Sequence, residues 1–216
     1  MSPQQTSPEA VPTVHIIEDD EAFRESLTDL FRSADIAVVT YPNTADFLNS
    51  AGLRGPGCLL LDVRLPGVNG LDFQSELERT GIRMPIIFMT GYGDIPMSVR
   101  AMKAGALDFL AKPFGDRDVL DAVREAFEVN AKRQQQSELI GALAARYRSL
   151  TQREREVMQE VVKGLMNKQI AFNLGISEIT VKIHRGNGMR KMEAKSVTDL
   201  VKKFEMLEAN QPHTDV

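Results

Sequence analysis

The chain has 216 residues, of which 43% are hydrophobic and 26% are charged, a composition that excludes a fibrous or a disordered protein. This length exceeds the usual size of one domain and predicts two domains. The formal charge of −4 is divided unevenly, since residues 1–128 carry 11 basic and 20 acidic side chains (−9) and residues 129–216 carry 15 and 10 (+5). The basic second half favours nucleic acid as a partner, with a solvated basic face as the alternative.

The number of cysteines and the hydropathy of the sequence indicate in which cellular compartment the protein functions. A single cysteine, Cys58, excludes an internal disulfide, and its apolar neighbours predict that its side chain is buried. No apolar run approaches the roughly 18 residues of a membrane span, and the N-terminus lacks the basic start and apolar core of a secretion signal. We therefore expect a cytoplasmic protein that has no membrane partner.

Between residue 13 and about residue 129, short aliphatic runs alternate with segments of helical periodicity. This alternation is typical of a parallel sheet covered by helices. The predicted strands are, in chain order, Val14–Glu18, Ala37–Tyr41, Cys58–Asp62, Pro85–Thr90 and Asp108–Ala111. The first domain is therefore predicted to be α/β, with a doubly wound (βα)5 fold.

The remaining sequence predicts helices only. No glycine or proline interrupts residues 116–140, which favours one long helix as the connector, with a flexible linker as the alternative. Thr151 and Glu154 have the spacing of a capping box, and four short helices are predicted from there onward. The predicted organisation is a disordered tail (1–11), an α/β domain (12–128), a helical linker (129–147), an all-α four-helix domain (148–208) and a C-terminal tail (209–216).

Polar residues follow four of the predicted strands at their carboxyl ends, which is where ligands bind in open α/β sheets. In chain order they are Glu18, Asp19 and Asp20, then Asp62, then Thr90, and finally Lys112 and Pro113. Carboxylates that converge at neutral pH repel one another, and a hard cation such as Mg²⁺ suits their oxygens together with phosphate. We therefore expect Mg²⁺, or Mn²⁺, at this edge of the sheet.

Four blocks, VHIIEDD, LLLDVRLPGVNG, IIFMTGYGD and LDFLAKPF, resemble the receiver domains of response regulators in order and spacing. The resemblance covers about 115 residues. It implies that Asp62 accepts a phosphoryl group and that Glu18, Asp19, Asp62 and the main-chain carbonyl of Arg64 bind the metal. It also implies that Lys112 pairs first with Asp62 and then with the phosphoryl group.

The same resemblance implies a switch built from Thr90 and Phe109. Thr90 would move toward the phosphoryl group while Phe109 turns inward, which changes the face formed by the fourth helix and the fifth strand. An ordinary core aromatic is the alternative interpretation of Phe109. The Lys112–Pro113 bond is expected to be cis. Glu18 departs from the aspartate of many receivers and places its carboxylate one methylene further out, which bears on metal affinity.

The segment LTQREREVMQEVVKGLMNKQIAFNLGISEITVKIHRGNGMRKM resembles the LuxR-type, or NarL-type, helix-turn-helix. It implies that Gly175 makes a left-handed turn and that Ser177 caps a recognition helix for the major groove, with Ile179 and Val181 at its core edge. Lys182 and Ile183 are expected to face bases. Contacts to the phosphate backbone are expected from Asn167, Lys168, Ser177, Thr180 and Arg185.

Two glycines depart from this family pattern. Gly186 stands where some relatives place a base-contacting lysine, so one direct contact is absent or comes from a neighbouring side chain. Gly188 replaces an apolar residue beneath the recognition helix, where glycine costs about 0.5 to 1 kcal/mol relative to alanine. We expect the end of this helix to be soft or alternatively packed.

Together the motifs resemble the FixJ subgroup and imply a two-component transcriptional regulator rather than an enzyme. A sensor histidine kinase would phosphorylate Asp62, and the receiver would form a homodimer through a face that includes Met97, Val99 and Arg100. The dimer would bind promoter DNA and act on RNA polymerase, as an activator.

Two other functions are weighed against this one. The first is a phosphorylation-independent DNA-binding protein with a vestigial receiver. The second is a phosphotransferase that uses Asp62 in turnover, which is disfavoured because Arg64 stands where the haloacid-dehalogenase pattern needs a second aspartate.

Overall fold

The structure is a computed structural model that describes residues 11–50, 53, 55–91 and 95–210. The predicted tails at 1–11 and 209–216 fall mostly outside these residues. Contacts divide the chain into two compact units, Met1–Gln134 and Gln135–Val216.

The first unit alternates strands and helices. Its elements are β1 (Thr13–Ile17), α1 (Glu21–Ser33), β2 (Ala37–Tyr41), α2 (Thr44–Leu48), β3 (Gly57–Asp62), β4 (Arg64–Leu65), β5 (Val68–Asn69), α3 (Gly70–Thr80), β6 (Ile86–Thr90), α4 (Ile95–Lys103) and β7 (Asp108–Ala111), followed by α5 (Asp116–Arg148).

Five strands form one parallel sheet in the order β2-β1-β3-β6-β7. This order confirms the predicted doubly wound fold, and the five strands begin and end within one residue of the predicted positions. The short antiparallel pair β4–β5 was not predicted, because two residues a strand are too few to give a periodic pattern.

The central position of β3 in the sheet explains why its sequence is continuously apolar. Leu59 and Leu61 pack into a core on one face of the sheet, whereas Cys58 and Leu60 pack into a second core on the other face. A strand covered on both faces has no exposed side and therefore no alternation of polar and apolar residues. Burial also raises the pKa of the Cys58 thiol to about 12, so this cysteine is an inert core side chain, as predicted.

Helix α5 has 33 residues and includes the whole of the predicted linker. The Asn130 amide oxygen is buried in the first unit and accepts the Gly57 N–H at 3.2 Å. Leu143 is buried in the core of the second unit. Residues 131–142, between these two anchors, are exposed or half-buried. Among the described residues no helix has both the length and the apolar composition needed to cross a bilayer.

The second unit holds the end of α5 and four further helices around one core. These are α6 (Gln152–Val162), α7 (Asn167–Leu174), α8 (Glu178–Lys191) and α9 (Val197–Ala209). The predicted capping box is present, since Thr151 N–H donates to Glu154 at 2.8 Å and Glu154 N–H donates to the Thr151 hydroxyl at 3.2 Å. Gly175 ends α7 in the left-handed region (φ 65°) and the Ser177 hydroxyl caps α8 by accepting the Thr180 N–H.

The prediction that Ile179 lies at the core edge of α8 is wrong. Val181, Gly188 and Met192 are buried on one side of this helix, whereas the Ile179 side chain is 74% exposed. Two residues of an α-helix span about 200°, so the burial of Val181 turns Ile179 toward solvent.

Gly188 does not interrupt α8, which continues to Lys191. A Cβ at Gly188 would lie 2.8 Å from both Cγ and Sδ of Met158, a fully buried residue of α6. Met158 therefore fills the volume that an apolar side chain at 188 would occupy. Of the two expected outcomes at this helix end, the structure shows alternative packing.

The two glycines of α8 provide a matched pair of substitutions. Gly186→Ala should stabilise the helix by about 0.5 to 1 kcal/mol because alanine has the higher helix propensity. Apart from its chain neighbours and its own helix backbone, its Cβ would meet no described atom within 4 Å. Gly188→Ala should destabilise it by about 1 kcal/mol because overpacking against Met158 outweighs the same propensity gain. Hydrogen exchange of the α8 amides in the full chain measures both effects.

Adding Met158→Ala to each variant is the control for this pair. Once Met158 is truncated, alanine at 188 should stabilise α8 relative to glycine. A Gly188→Ala protein that is as stable as Gly186→Ala with Met158 intact would contradict the packing described.

Candidate functional site

The register of the parallel sheet brings three carboxylates together. Ile17 of β1 pairs with Leu61 of β3, so the residues that follow them, Glu18 and Asp62, are neighbours at the carboxyl edge. One carboxylate oxygen from each of Glu18, Asp19 and Asp62 lies within 4.8 Å of the others. Glu18 and Asp62 are only 1% and 7% exposed, whereas Asp19 is exposed. The predicted convergence of these acids is therefore present.

Lys112 supplies the opposite charge. Its Nζ lies 2.6 Å from Glu18 Oε2 and 2.5 Å from Asp62 Oδ2, so one ammonium group bridges both buried carboxylates. The Lys112 N–H donates to the Thr90 carbonyl at 2.7 Å, which holds the residue beside the end of β6. Its Nζ also lies 4.2 Å from the centre of the Phe23 ring, within the range of a cation–π contact.

These contacts shift two pKa values. Burial raises the pKa of Glu18 to about 7, and the nearby Asp62 charge acts in the same direction, against the hydrogen bond and charge of Lys112. Burial acts to lower the pKa of Lys112, but hydrogen bonds to Asp62 and Glu18 outweigh burial and raise that pKa above its ordinary value. Lys112 is therefore held as a cation, and Glu18 titrates near neutral pH.

The loop that carries Glu18 and Asp19 is fixed by α1. Arg24 Nη1 donates to the Glu18 carbonyl at 2.8 Å and to the Asp19 carbonyl at 3.4 Å. Asp20 caps α1 by accepting the Phe23 N–H at 3.0 Å, so its side chain is used at the helix N-terminus rather than in the acid cluster. The sequence interpretation missed Phe23 and Arg24 as parts of the pocket. Phe23 fits an apolar core stripe and Arg24 a solvated helix face, so neither carried a distinguishing signal.

The turn after β3 orients Asp62. The Arg64 N–H donates to Asp62 Oδ1 at 2.7 Å, so the two oxygens of this carboxylate have different partners. At Gly70 a Cβ would lie 3.0 Å from the Asp62 carbonyl oxygen and 3.1 Å from Val63 Cα, so only glycine lets α3 begin this close to β3. The glycine at the end of LLLDVRLPGVNG therefore has a steric function. The Arg64 carbonyl stays a predicted metal ligand.

The two predicted switch residues lie on neighbouring strands. Thr90 is the last residue of β6 and is fully buried, and Phe109 on β7 is half-buried against the core that contains Ile17 and Phe88. The Lys112–Pro113 bond is cis. On α4 the Val99 side chain is 44% exposed, whereas the Met97 side chain lies outside the described residues.

The donor set suits a hard cation. Three carboxylates, two of them buried, converge within 4.8 Å, and no thiol or imidazole belongs to the cluster in the part of the chain that the structure describes. Oxygen-only ligands of this kind favour Mg²⁺ or Mn²⁺ over Zn²⁺. The residues present could therefore hold the expected ion.

The predicted DNA contacts lie on α7, on α8 and at the cap between them, and four of the seven are exposed. Lys182 and Ile183 are exposed, as is Lys168 on α7. Arg185 Nη1 donates to Asn167 Oδ1 at 2.7 Å, which ties two predicted phosphate contacts to each other.

Three other polar residues of this surface have partners within the unit. The Ser177 and Thr180 hydroxyls, both predicted to contact phosphate, lie 2.7 Å apart. Lys191, at the end of α8, donates to Glu154 at 2.6 Å and to the Ser149 carbonyl at 3.2 Å.

Comparison with known proteins identifies both units. Residues 14–124 match the family "Response regulator receiver domain", and residues 148–204 match "Bacterial regulatory proteins, luxR family". Nodulation protein W of Bradyrhizobium diazoefficiens is 50% identical over 94% of this chain and 89% of its own length. Response regulator protein TodT of Pseudomonas putida is 44% identical over 90% and 86%.

Solved structures agree with these matches. The response regulator StyR superposes with a TM-score of 0.80 at 46% identity, over 91% of this chain and 99% of StyR. Full-length FixJ from B. japonicum superposes with a TM-score of 0.56 at 36% identity, over 93% of this chain and 98% of FixJ. The chain therefore belongs to the FixJ/NarL-type response regulators, two-component transcriptional regulators that join a receiver domain to a LuxR-type DNA-binding domain.

The pKa of Glu18 predicts a pH dependence of metal binding. Below a pKa of about 7 the Glu18 carboxyl is protonated, and a proton and Mg²⁺ compete for the same oxygens. Lowering the pH from about 8 to about 6 should therefore raise the dissociation constant for Mg²⁺ about tenfold, measured by isothermal titration calorimetry.

Glu18→Gln is the matched control for this titration. It keeps the shape of the side chain but cannot ionise, so Mg²⁺ should bind more weakly and this pH dependence should disappear. Equal affinity of the unaltered chain at both pH values would refute the role given to Glu18.

Proposed function

We propose that Asp62 receives a phosphoryl group from a sensor histidine kinase and that this modification controls DNA binding by α8. The observation that carries the proposal is the bridged acid cluster, in which Lys112 Nζ lies within 2.6 Å of both Glu18 and Asp62. Promoter DNA and the kinase are the proposed partners, and we place the function in the cytoplasm.

The proposed chemistry starts with Asp62 as nucleophile. A carboxylate oxygen attacks phosphorus, the P–N bond of the kinase phosphohistidine breaks, and the histidine nitrogen keeps the bonding electron pair. A Mg²⁺ or Mn²⁺ ion held by Glu18, Asp19, Asp62 and the Arg64 carbonyl would neutralise charge on the phosphoryl oxygens. Lys112 exchanges its hydrogen bond from the Asp62 carboxylate to a phosphoryl oxygen, so that its charge stays compensated.

The proposed switch uses the ends of β6 and β7. The Thr90 hydroxyl donates to the new phosphoryl group, and Phe109 follows it inward, which alters the face formed by α4 and β7. Val99 and Met102 on α4 are 44% and 48% exposed and supply an apolar surface for a homodimer, with Arg100 beside them. A shift from 1:99 to 99:1 needs about 5.5 kcal/mol, so partial activity without phosphorylation is expected.

The proposed output is transcription, through contacts of the second unit with DNA and of the dimer with RNA polymerase. We take residues 12–128 as the receiver, 129–147 as the linker and 148–208 as the DNA-binding domain, so that the linker lies wholly within α5. Lys182 and Ile183 face bases in this proposal. The backbone contacts come from Asn167, Lys168, Ser177, Thr180 and Arg185.

Substitutions of Asp62 and Asp20 test the phosphorylation site. The full chain with Mg²⁺ and acetyl phosphate should gain one phosphoryl group by mass spectrometry and dimerise by analytical ultracentrifugation. Asp62→Asn should abolish both effects because the amide is not a nucleophile toward phosphorus.

The matched control is Asp20→Asn, which keeps a good N-cap for α1 and should be modified and dimerise like the unaltered chain. Full modification of the Asp62→Asn protein, or dimerisation that is independent of acetyl phosphate, would overturn the proposal.

A further inference from the structure

Helix α8 exposes an apolar face that its own unit leaves uncovered. Ile179 and Ile183 are 74% and 58% exposed, and they lie one turn apart with Lys182 beside them. Gly186 follows on the same face, and apart from its chain neighbours and its own helix backbone no described atom would lie within 4 Å of a Cβ there. Adjacent branched apolar side chains exposed on one helix face mark a binding surface.

The surrounding charge indicates what covers this face. Lys182 is exposed beside the two isoleucines, Lys168 is exposed on the neighbouring helix, and residues 129–216 carry a net charge of +5. A polyanion is therefore favoured over an apolar protein surface as the occupant. The N-terminal residues of a recognition helix are those that reach base edges in the major groove, and Ile179 lies in the first turn of α8.

We propose that Ile179 is a specificity-determining residue that contacts the C5 methyl group of a thymine in the major groove. An isoleucine side chain cannot donate or accept a hydrogen bond, and the thymine methyl is the apolar group that base pairs present in that groove. The inference rests on the proposed binding of DNA by α8. It adds a contact beside that of Ile183, which was already expected to face bases.

Gly186 makes this contact possible. An isoleucine side chain is short, so the helix backbone must approach the base edges closely before a methyl–methyl contact forms. At position 186 the helix presents no side chain that would hold it away from the groove. Where some relatives read a base with a long cationic side chain at position 186, this chain reads bases through apolar contacts at 179 and 183.

Replacement of thymine by uracil tests the inference, because it removes only the methyl group. A duplex is first selected from a random pool with the full chain, and each dT of a half-site is then replaced singly by dU. At one position the unaltered protein should bind about fourfold more weakly, the effect expected for one buried methyl group. Ile179→Ala should bind the dT and dU duplexes equally at that position.

Two further variants complete the experiment. Ile179→Val keeps a branched side chain and should retain the preference for dT. Phe172→Ala removes an 88% exposed aromatic from α7, a different helix, and should also leave the preference unchanged.

Several results would overturn the inference. The first is equal binding of the dT and dU duplexes by the unaltered chain at every position, and the second is a full loss of affinity for the dU duplex in Ile179→Ala. The third is a weakened dimer in Ile179→Ala with an unchanged ratio of dT to dU affinity, which would indicate a second copy of the chain as the occupant. A chain that selects no sequence from the pool would overturn the proposed DNA binding as well, so the two failures are distinguishable.

Discussion

The ion pairs of Lys112 are the interaction on which the receiver pocket depends. Two buried carboxylates, Glu18 and Asp62, face each other across neighbouring strands, and the Lys112 ammonium lies within 2.6 Å of both. Removing one partner from such a cluster leaves a buried charge without compensation, which is strongly destabilising. One ammonium compensates only one of the two buried carboxylates when both are ionised, so the pocket keeps a negative charge that suits a cation. We propose that Lys112 exchanges its hydrogen bond from Asp62 to a phosphoryl oxygen, and that this exchange couples the chemistry of the pocket to its structure.

Much of the fold and of this pocket could be predicted because both depend on strongly patterned features. Buried parallel strands require continuous aliphatic runs, and their carboxyl ends meet at one edge, so Asp62, Thr90 and Lys112 are brought together by topology alone. Local sequence signals also predicted the structure correctly where a residue type has one characteristic structural role. The capping box of Thr151 and the left-handed turn at Gly175 are such cases.

What the sequence did not reveal depends on which neighbour fills a given volume. Met158 and Gly188 are 30 positions apart, and nothing local indicates that one compensates for the other. Phe23 has the spacing of a core stripe, and only the path of the Lys112 side chain makes its ring part of the pocket. Ile179 was assigned to the core because apolar residues usually lie there, yet the helix phase set by Val181 leaves it exposed. These three features depend on tertiary packing, which the periodicity of the sequence does not determine.

We propose that charge arriving at the Asp62 pocket controls DNA binding by a different unit of the chain. The most direct measurement is the dissociation constant of the full chain for its selected duplex, with Mg²⁺ alone and with Mg²⁺ plus beryllium trifluoride as a phosphoryl mimic. Because coupling between sites typically changes affinity by about 5- to 150-fold, we expect the mimic to tighten binding about tenfold or more. Equal affinity in the two conditions would contradict the account and would leave a DNA-binding protein with a vestigial receiver.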